Sequence, residues 1–388
     1  MKTDIRFLNE LFRIVNGALR LDIDKVRNYT AFLADKLEQD GNSTVANRLR
    51  KMLEENDYQL RPADTRGGRT LPVDEESRFP LIERVNLKES SEAPLLLSQS
   101  QWYVVNEFQS VAKSYGQIVA QDLAGGALSL LMYGPPGTGK TRLARFIANE
   151  LGLELYIGRL DGLISSFLGS TSKNIRALFD FAAKTPCVLF LDEFDAIAKL
   201  RGDMQELGEL KRVVNSFLQN LDTVGRQSII LAATNHEALL DSAVWRRFSY
   251  RLEFTLPDPS IRKEMWIKFL HPILFSDRDL DLLVDLSDGF CGSDIHEVCL
   301  RLKRREITTR KEQQVADAFQ VLRNLAVGAA EERRFLATLS TQDHAGLVQA
   351  LRNRNARLYS HSALAVLLGV SKATAHRLVQ REVDANGG

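Results

Sequence analysis

Apolar positions along this chain change their spacing in blocks, and the blocks mark out its organisation. Over residues 1–57 they recur at helical intervals. Ile5, Leu8, Leu11, Phe12 and Val15 form one stripe, and Val26, Tyr29, Phe32, Leu33 and Leu37 a second. Asn42-Ser43-Thr44 offers a cap for a third helix carrying Val45, Leu49 and Leu53, so a small N-terminal helical adaptor domain is expected. Residues 58–98 lose the periodicity and are dense in Pro, Gly, Ser and charge, which predicts a linker with one short strand near Leu81–Val85. Between residues 99 and 257 short apolar runs, at 128–133, 155–157, 188–191 and 229–233, alternate with amphipathic stretches such as 174–183 and 210–221. That alternation predicts an α/β domain: a parallel sheet with helices on both faces. After Pro257-Asp258-Pro259 the pattern turns helical, giving a small helical domain over 258–330 and a separate helical tail over 331–388.

Composition narrows the partners. The net charge of +1 gives the whole molecule no electrostatic pull toward nucleic acid or anionic lipid. No uninterrupted apolar stretch approaches the roughly 20 residues of a membrane span, so no membrane partner is expected. The first residues mix charge into their apolar positions and carry no signal-peptide core. Cys187, Cys291 and Cys299 lie in apolar contexts without a CxxC or Cys/His cluster, which argues for a reducing, cytoplasmic setting and against a cysteine metal site.

The candidate chemistry centres on one stretch. The apolar run ending at Tyr133 leads into Gly134-Pro135-Pro136-Gly137-Thr138-Gly139-Lys140-Thr141, and a helical pattern with Leu143, Phe146 and Ile147 follows. Strand, glycine loop and helix in this order make a phosphate-binding loop. Glycines let successive backbone N–H groups turn inward around an anion, and the helix adds its positive N-terminal end. Lys140 is expected to reach the β- and γ-phosphates of ATP, and Thr141 to bind Mg2+. The run Val188–Leu191 ends in Asp192 and Glu193, and carboxylates at the end of a buried strand need a partner. Asp192 is the expected Mg2+-side ligand, and Glu193 the group that polarises the attacking water. Asn235, after the run 229–233, is placed to hold the γ-phosphate and that water. Arg246 and Arg247 are candidates to stabilise transition-state charge on a neighbouring subunit's nucleotide, which requires a ring.

These motifs, in this order and spacing, resemble the AAA branch of the AAA+ ATPases over about residues 128–302. The resemblance implies a ring-forming ATPase, of hexameric type, with a P-loop α/β domain and a helical lid. By it Gly134–Thr141 is the Walker A motif, Val188–Glu193 the Walker B motif, Asn235 sensor 1, and Arg246 with Arg247 the arginine fingers. Gly289-Phe290-Cys291-Gly292-Ser293-Asp294-Ile295 is similar to the lid motif of this branch. The stretch from Leu163 to Arg176 resembles the first pore loop of polypeptide-threading members, with Phe167 and Leu168 as the pair that grips substrate and Ser170 where the family pattern carries Glu. Chain architecture also looks like the stand-alone prokaryotic members.

In the tail, residues 362–378 resemble a helix-turn-helix: Gly369 supplies the turn and Ser371 caps a second helix carrying Lys372, Thr374, His376, Arg377 and, beyond, Arg381. Residues 343–388 hold six basic side chains against three acidic ones, a net of +3. DNA binding through 331–388 and docking of a protein are both open readings. The leading expectation is a cytoplasmic unfoldase or remodelling ATPase acting on polypeptide. A DNA-associated ATPase motor or regulator and a nucleotide-gated assembly scaffold are the alternatives. With no HExxH or GxSxG in the chain, any degradation requires a partner protease on a separate chain.

Overall fold

A computed structural model describes residues 7–19, 23–55, 71–73, 80–87, 94–121, 127–160, 168–196, 216–221, 228–326, 335–336, 339 and 343–386. Its contacts divide the chain into two compact units: residues 1–89, 103–133 and 144–252 form the first, and residues 90–102, 134–143 and 253–388 the second.

The first unit begins with three helices, α1 (Leu8–Leu19), α2 (Ile23–Gln39) and α3 (Ser43–Glu55), in which α2 packs on both neighbours. Lys36 pairs with Glu10 at 2.6 Å, tying α1 to α2, and Arg50 pairs with Asp35 at 2.7 Å and Glu38 at 2.6 Å, tying α2 to α3. The remainder is built on a six-stranded sheet: β1 (Ile82–Val85), β2 (Ser129–Tyr133), β3 (Glu154–Arg159), β4 (Cys187–Asp192), β5 (Ile229–Thr234) and β6 (Tyr250–Glu253), in the order β1-β3-β4-β5-β2-β6. Strands β3, β4, β5 and β2 run parallel, and β1 joins the β3 edge antiparallel. Helices α4 (Gln99–Lys113), α5 (Tyr115–Ala120), α6 (Lys140–Leu151) and α7 (Leu168–Lys184) lie between the strands in sequence. Every residue of β5, and all of β4 but Asp192, is buried, which is why these strands read as unbroken apolar runs. Phe179, Phe217, Phe194 and Phe248 form a chain of edge-to-face contacts at 5.0–5.5 Å in this unit's core. Of the stretch expected to be helical over 210–221, residues 216–221 are described, and they are helical.

The second unit is helical: α9 (Pro259–Leu270), α10 (Asp277–Leu286), α11 (Gly292–Thr309), α12 (Val315–Ala326), α13 (His344–Asn355), α14 (His361–Leu368) and α15 (Lys372–Asn386), with α8 (Ser242–Trp245) preceding them in the first unit. Asp258, Ser276, Asp343 and Ser360 each cap the helix that follows. Among the described residues, one apolar core runs through these seven helices: Trp266 and Phe290 share it with Phe319, Tyr359 and Leu364. The stretches read as a helical domain and a tail thus bury their apolar faces together. A polar seam joins them as well. The Tyr359 hydroxyl donates to Asp285 at 2.5 Å, and Arg354 reaches Asp285 at 2.9 Å and Asp288 at 3.0 Å. Arg262 meets the other oxygen of Asp288 at 3.2 Å and donates to the Pro257 carbonyl at 2.8 Å.

Candidate functional site

Register sets the first part of the site. Tyr133 is level with Thr234 across β2 and β5, and Leu191 is level with Ala232 across β4 and β5. The carboxyl ends of three parallel strands therefore leave the sheet within one residue of each other. In open parallel sheets this edge is where ligands bind. Gly134 continues from β2, Glu193 from β4 and Asn235 from β5.

The acid pair is held by local geometry. Glu193 takes a left-handed backbone, φ 52°, uncommon for a residue with a side chain. Its N–H donates to the Asp192 carboxylate at 2.9 Å, and the Phe194 N–H donates to the Ala233 carbonyl at 2.8 Å. The Phe194 ring is fully buried, so the turn is anchored and Glu193 is left exposed. Asp195, buried, accepts from the Thr234 hydroxyl at 3.1 Å, and that oxygen accepts from the His236 N–H at 3.0 Å. Asp195 thereby braces the turn that carries Asn235, which is half-buried.

The two arginines part company. Asp241 caps α8 through Ala243 and Val244, both at 3.0 Å, and the Trp245 ring meets Tyr133 edge-on at 4.9 Å. Arg247 is half-buried and donates to the Leu218 carbonyl at 3.3 Å, whereas Arg246 is exposed. Phe167 lies outside the described residues, as does the side chain of Leu168, whose backbone opens α7.

The glycine loop belongs to the second unit. Gly134, Gly137 and Gly139 all have positive φ, at 125°, 74° and 112°. A Cβ on Gly134 would fall 1.9 Å from the Phe254 carbonyl oxygen, and one on Gly137 would fall 2.2 Å from the Ser293 hydroxyl. Conformation and space both demand glycine at these two positions. The Lys140 ammonium is buried against loop carbonyls, 2.7 Å from Gly134 and 2.8 Å from Pro135, and Thr138 donates to Pro135 at 2.8 Å. Thr141 is half-buried at the start of α6.

The loop meets the start of α11. The Ser293 N–H donates to the Gly137 carbonyl at 3.0 Å. Cys291 donates its N–H and its thiol to Asp294, both at 2.9 Å, closing the first turn of that helix. Burial, with the Asp294 carboxylate beside it, pushes the Cys291 thiol up, so it stays a protonated donor. Burial, helped by Arg142 and Lys303, holds His296 below its ordinary value, so the imidazole is neutral. Next to Thr138 and Gly292 opens a pocket walled on one side by Leu96, Leu97, Phe254, Ile261 and Met265 and on the other by Ser98, Gln101, Thr255 and Asp258. Gln101 donates to the Glu253 carbonyl at 2.8 Å, fastening the start of α4 beside this wall. The sequence pattern alone does not reveal this pocket, since it places Leu96 and Leu97 at the end of a linker. The apolar Leu95-Leu96-Leu97 before a Ser98-capped helix was the available signal.

Comparison with known proteins agrees with this geometry. A family model described as ATPase family associated with various cellular activities (AAA) matches residues 130–256. An uncharacterized AAA family ATPase, y4kL, from Sinorhizobium fredii is 35% identical over 311 residues, covering 78% of this chain and 91% of that protein. A putative 26S proteasome regulatory subunit homologue from Methanothermobacter marburgensis is 38% identical over 177 residues, 45% of this chain and 48% of that protein. The chain matches only 26% of the ATP-dependent zinc metalloprotease FtsH of Parabacteroides distasonis, at 38% identity over 178 residues, 44% of its own length. The crystal structure of the FIGL-1 AAA domain in complex with ADP superposes with a TM-score of 0.50 at 23% identity, over 74% of this chain and 94% of that one, and so shares the fold. The glycine loop, the strand-end acids and a relative matched over most of both chains lead to one conclusion: this chain belongs to the AAA family of ATPases and is a nucleotide-binding ATP hydrolase.

Proposed function

We propose that this ATPase works as a homo-oligomeric ring, of hexameric type, coupling ATP hydrolysis to remodelling or unfolding of a protein substrate drawn through a central pore. The observation that carries the reading is the shared level at which β2, β4 and β5 end. A glycine loop follows the first, an acid pair the second and an amide the third. Gly134–Thr141 wraps the phosphates, and Lys140 exchanges its two carbonyl partners for β- and γ-phosphate oxygens. The pocket at Phe254 and Met265 takes the base.

Thr141 and Asp192 supply a hydroxyl and a carboxylate, the hard oxygen donors Mg2+ prefers when phosphates and water complete its shell. Asp192 suits this role because the Glu193 N–H fixes one of its oxygens at 2.9 Å. Mg2+ bound there neutralises charge on the phosphate oxygens. Glu193 orients a water toward the γ-phosphorus and accepts its proton as the bond to ADP breaks. Asn235 holds that water and the γ-phosphate. Arg246, exposed, reaches the adjacent subunit's nucleotide, and Arg247 braces it from its contact at Leu218.

Relatives named for the proteasome and for FtsH support a polypeptide substrate. As an aromatic–aliphatic pair, Phe167 and Leu168 grip any peptide by apolar contact without reading its sequence. The test is steady-state hydrolysis with and without an unfolded polypeptide. Glu193→Gln should retain ATP while turnover drops by ~10²–10⁴-fold. Phe167→Ala should keep basal turnover and lose the stimulation. Full turnover in the first variant removes Glu193 from its role. A wild-type rate indifferent to polypeptide rejects threading and favours the assembly scaffold.

A further inference from the structure

We propose that the C-terminal helix pair is a duplex-DNA-binding surface whose second helix, α15, enters the major groove. The inference is independent of the pore reading. It begins with charge. From His344 to Arg381 the chain contains no Asp or Glu but six Lys and Arg, within a molecule of net charge +1. A run of this length without a carboxylate has a positive potential that whole-chain charge conceals.

Packing then sorts those cations. Arg354 is spent inward on Asp285 and Asp288 at 2.9 and 3.0 Å, and the acids of α15 itself, Glu382 and Asp384, lie toward its far end. Arg357, Lys372 and Arg377 are exposed. Arg278, from α10, lies over the start of α14 and donates to the Ser360 and Ser362 hydroxyls, adding a cation there.

The backbone supplies the reading geometry. Gly369, φ 63°, ends α14, with the Val370 N–H returning to the Ala365 carbonyl at 3.0 Å and the Gly369 N–H to Val366 at 3.2 Å. Ser371 then caps α15 by accepting from the Thr374 N–H at 3.1 Å. The apolar side of α15, Ala375 and Val379, is buried in the core shared with α14. That leaves Lys372, His376, Arg377 and Gln380 exposed along one side of its first turns. The start of the second helix of such a pair is what contacts base edges when it lies in the major groove. Apart from the small Ala373, the exposed side chains of these first turns are cations and hydrogen-bonding groups, and among the described residues the one large apolar side chain exposed on the pair, Val366, belongs to α14.

The test uses the full chain and fluorescence anisotropy with a labelled mixed-sequence duplex, the matching single strand and a polyglutamate chain of similar charge. Duplex binding should weaken roughly 10²-fold between about 50 and about 200 mM salt, as for about four neutralised phosphates. The double variant Lys372→Ala, Arg377→Ala should lower the salt slope by about two and leave basal ATP hydrolysis unchanged. No duplex binding at low salt overturns the proposal. So does equal binding of the single strand or polyglutamate, or a double variant that binds like the parent.

Discussion

The loop Gly134–Gly139 and the turn at Gly369 are built by the same local means. Each hands an apolar element over to a helix through glycine at positive φ, and each helix opens with a lysine, Lys140 or Lys372. Their surroundings differ. A Cβ at Gly134 would collide with the Phe254 backbone at 1.9 Å, whereas one at Gly369 would meet nothing within 4 Å. Lys140 is buried against two carbonyls, and Lys372 stands in solvent. The first turn is closed around by the protein and ready to enclose a small anion. The second faces outward and can only meet a large one. What the turn can bind depends on what is packed behind it.

Substitutions can break or sharpen this contrast. Gly134→Ala should do most damage. Backbone strain and the clash with a carbonyl that has no side-chain freedom together cost roughly 3 kcal/mol or more. Nucleotide binding, followed by titration with a fluorescent ATP analogue, should be lost along with thermal stability. A variant that still binds at the parent affinity would mean that the loop shifts freely and that the crowding is incidental.

Arg354→Ala tests the seam between the two glycine turns' surroundings. It removes charge-assisted bonds to Asp285 and Asp288 and leaves the half-buried Asp285 with the Tyr359 hydroxyl alone, a loss of roughly 1–3 kcal/mol. Arg262 would then hold Asp288 alone, while still donating to Pro257 on the wall of the pocket beside Thr138 and Gly292. The melting midpoint should fall and the KM for ATP rise while kcat changes little. A fall in stability with KM unchanged would confine the seam to a structural role.

Gly369→Ala should be the mildest. Only the left-handed backbone is strained, at about 1–2 kcal/mol, because the space beside it is open. The melting midpoint should drop slightly with ATP turnover intact. An effect as large as that of Gly134→Ala, read by the same melt, would erase the distinction between the two turns.

Much of the ATPase half was legible because its signals are local. A buried parallel strand must be apolar throughout, so β4 and β5 announced themselves as runs, and the acids and the amide stood out as the polar residues that end them. The lid motif was legible only through its resemblance: a Cβ on Gly292 would meet Met265 and the Gly137 carbonyl at ordinary contact distances of 3.4 and 3.6 Å, so packing alone does not demand glycine there. The pocket wall was not legible. Gln101 and Glu253 meet although 152 residues separate them, and neither position carries a pattern that names its partner. Nor could adjacency in sequence tell that Arg247 turns toward Leu218 while Arg246 points to solvent.

The sequence by itself determined the order of elements, the strand-end chemistry and the glycine loop, because periodicity, capping and positive φ are properties of a few neighbouring residues. Tertiary structure decided which glycine is crowded and which is free, which arginine is braced, and that α13, α14 and α15 share one core with α9–α12. Those outcomes depend on which surfaces meet, and burial free energy is non-directional: it rewards any apolar face that closes against another and leaves the choice of partner to the whole chain.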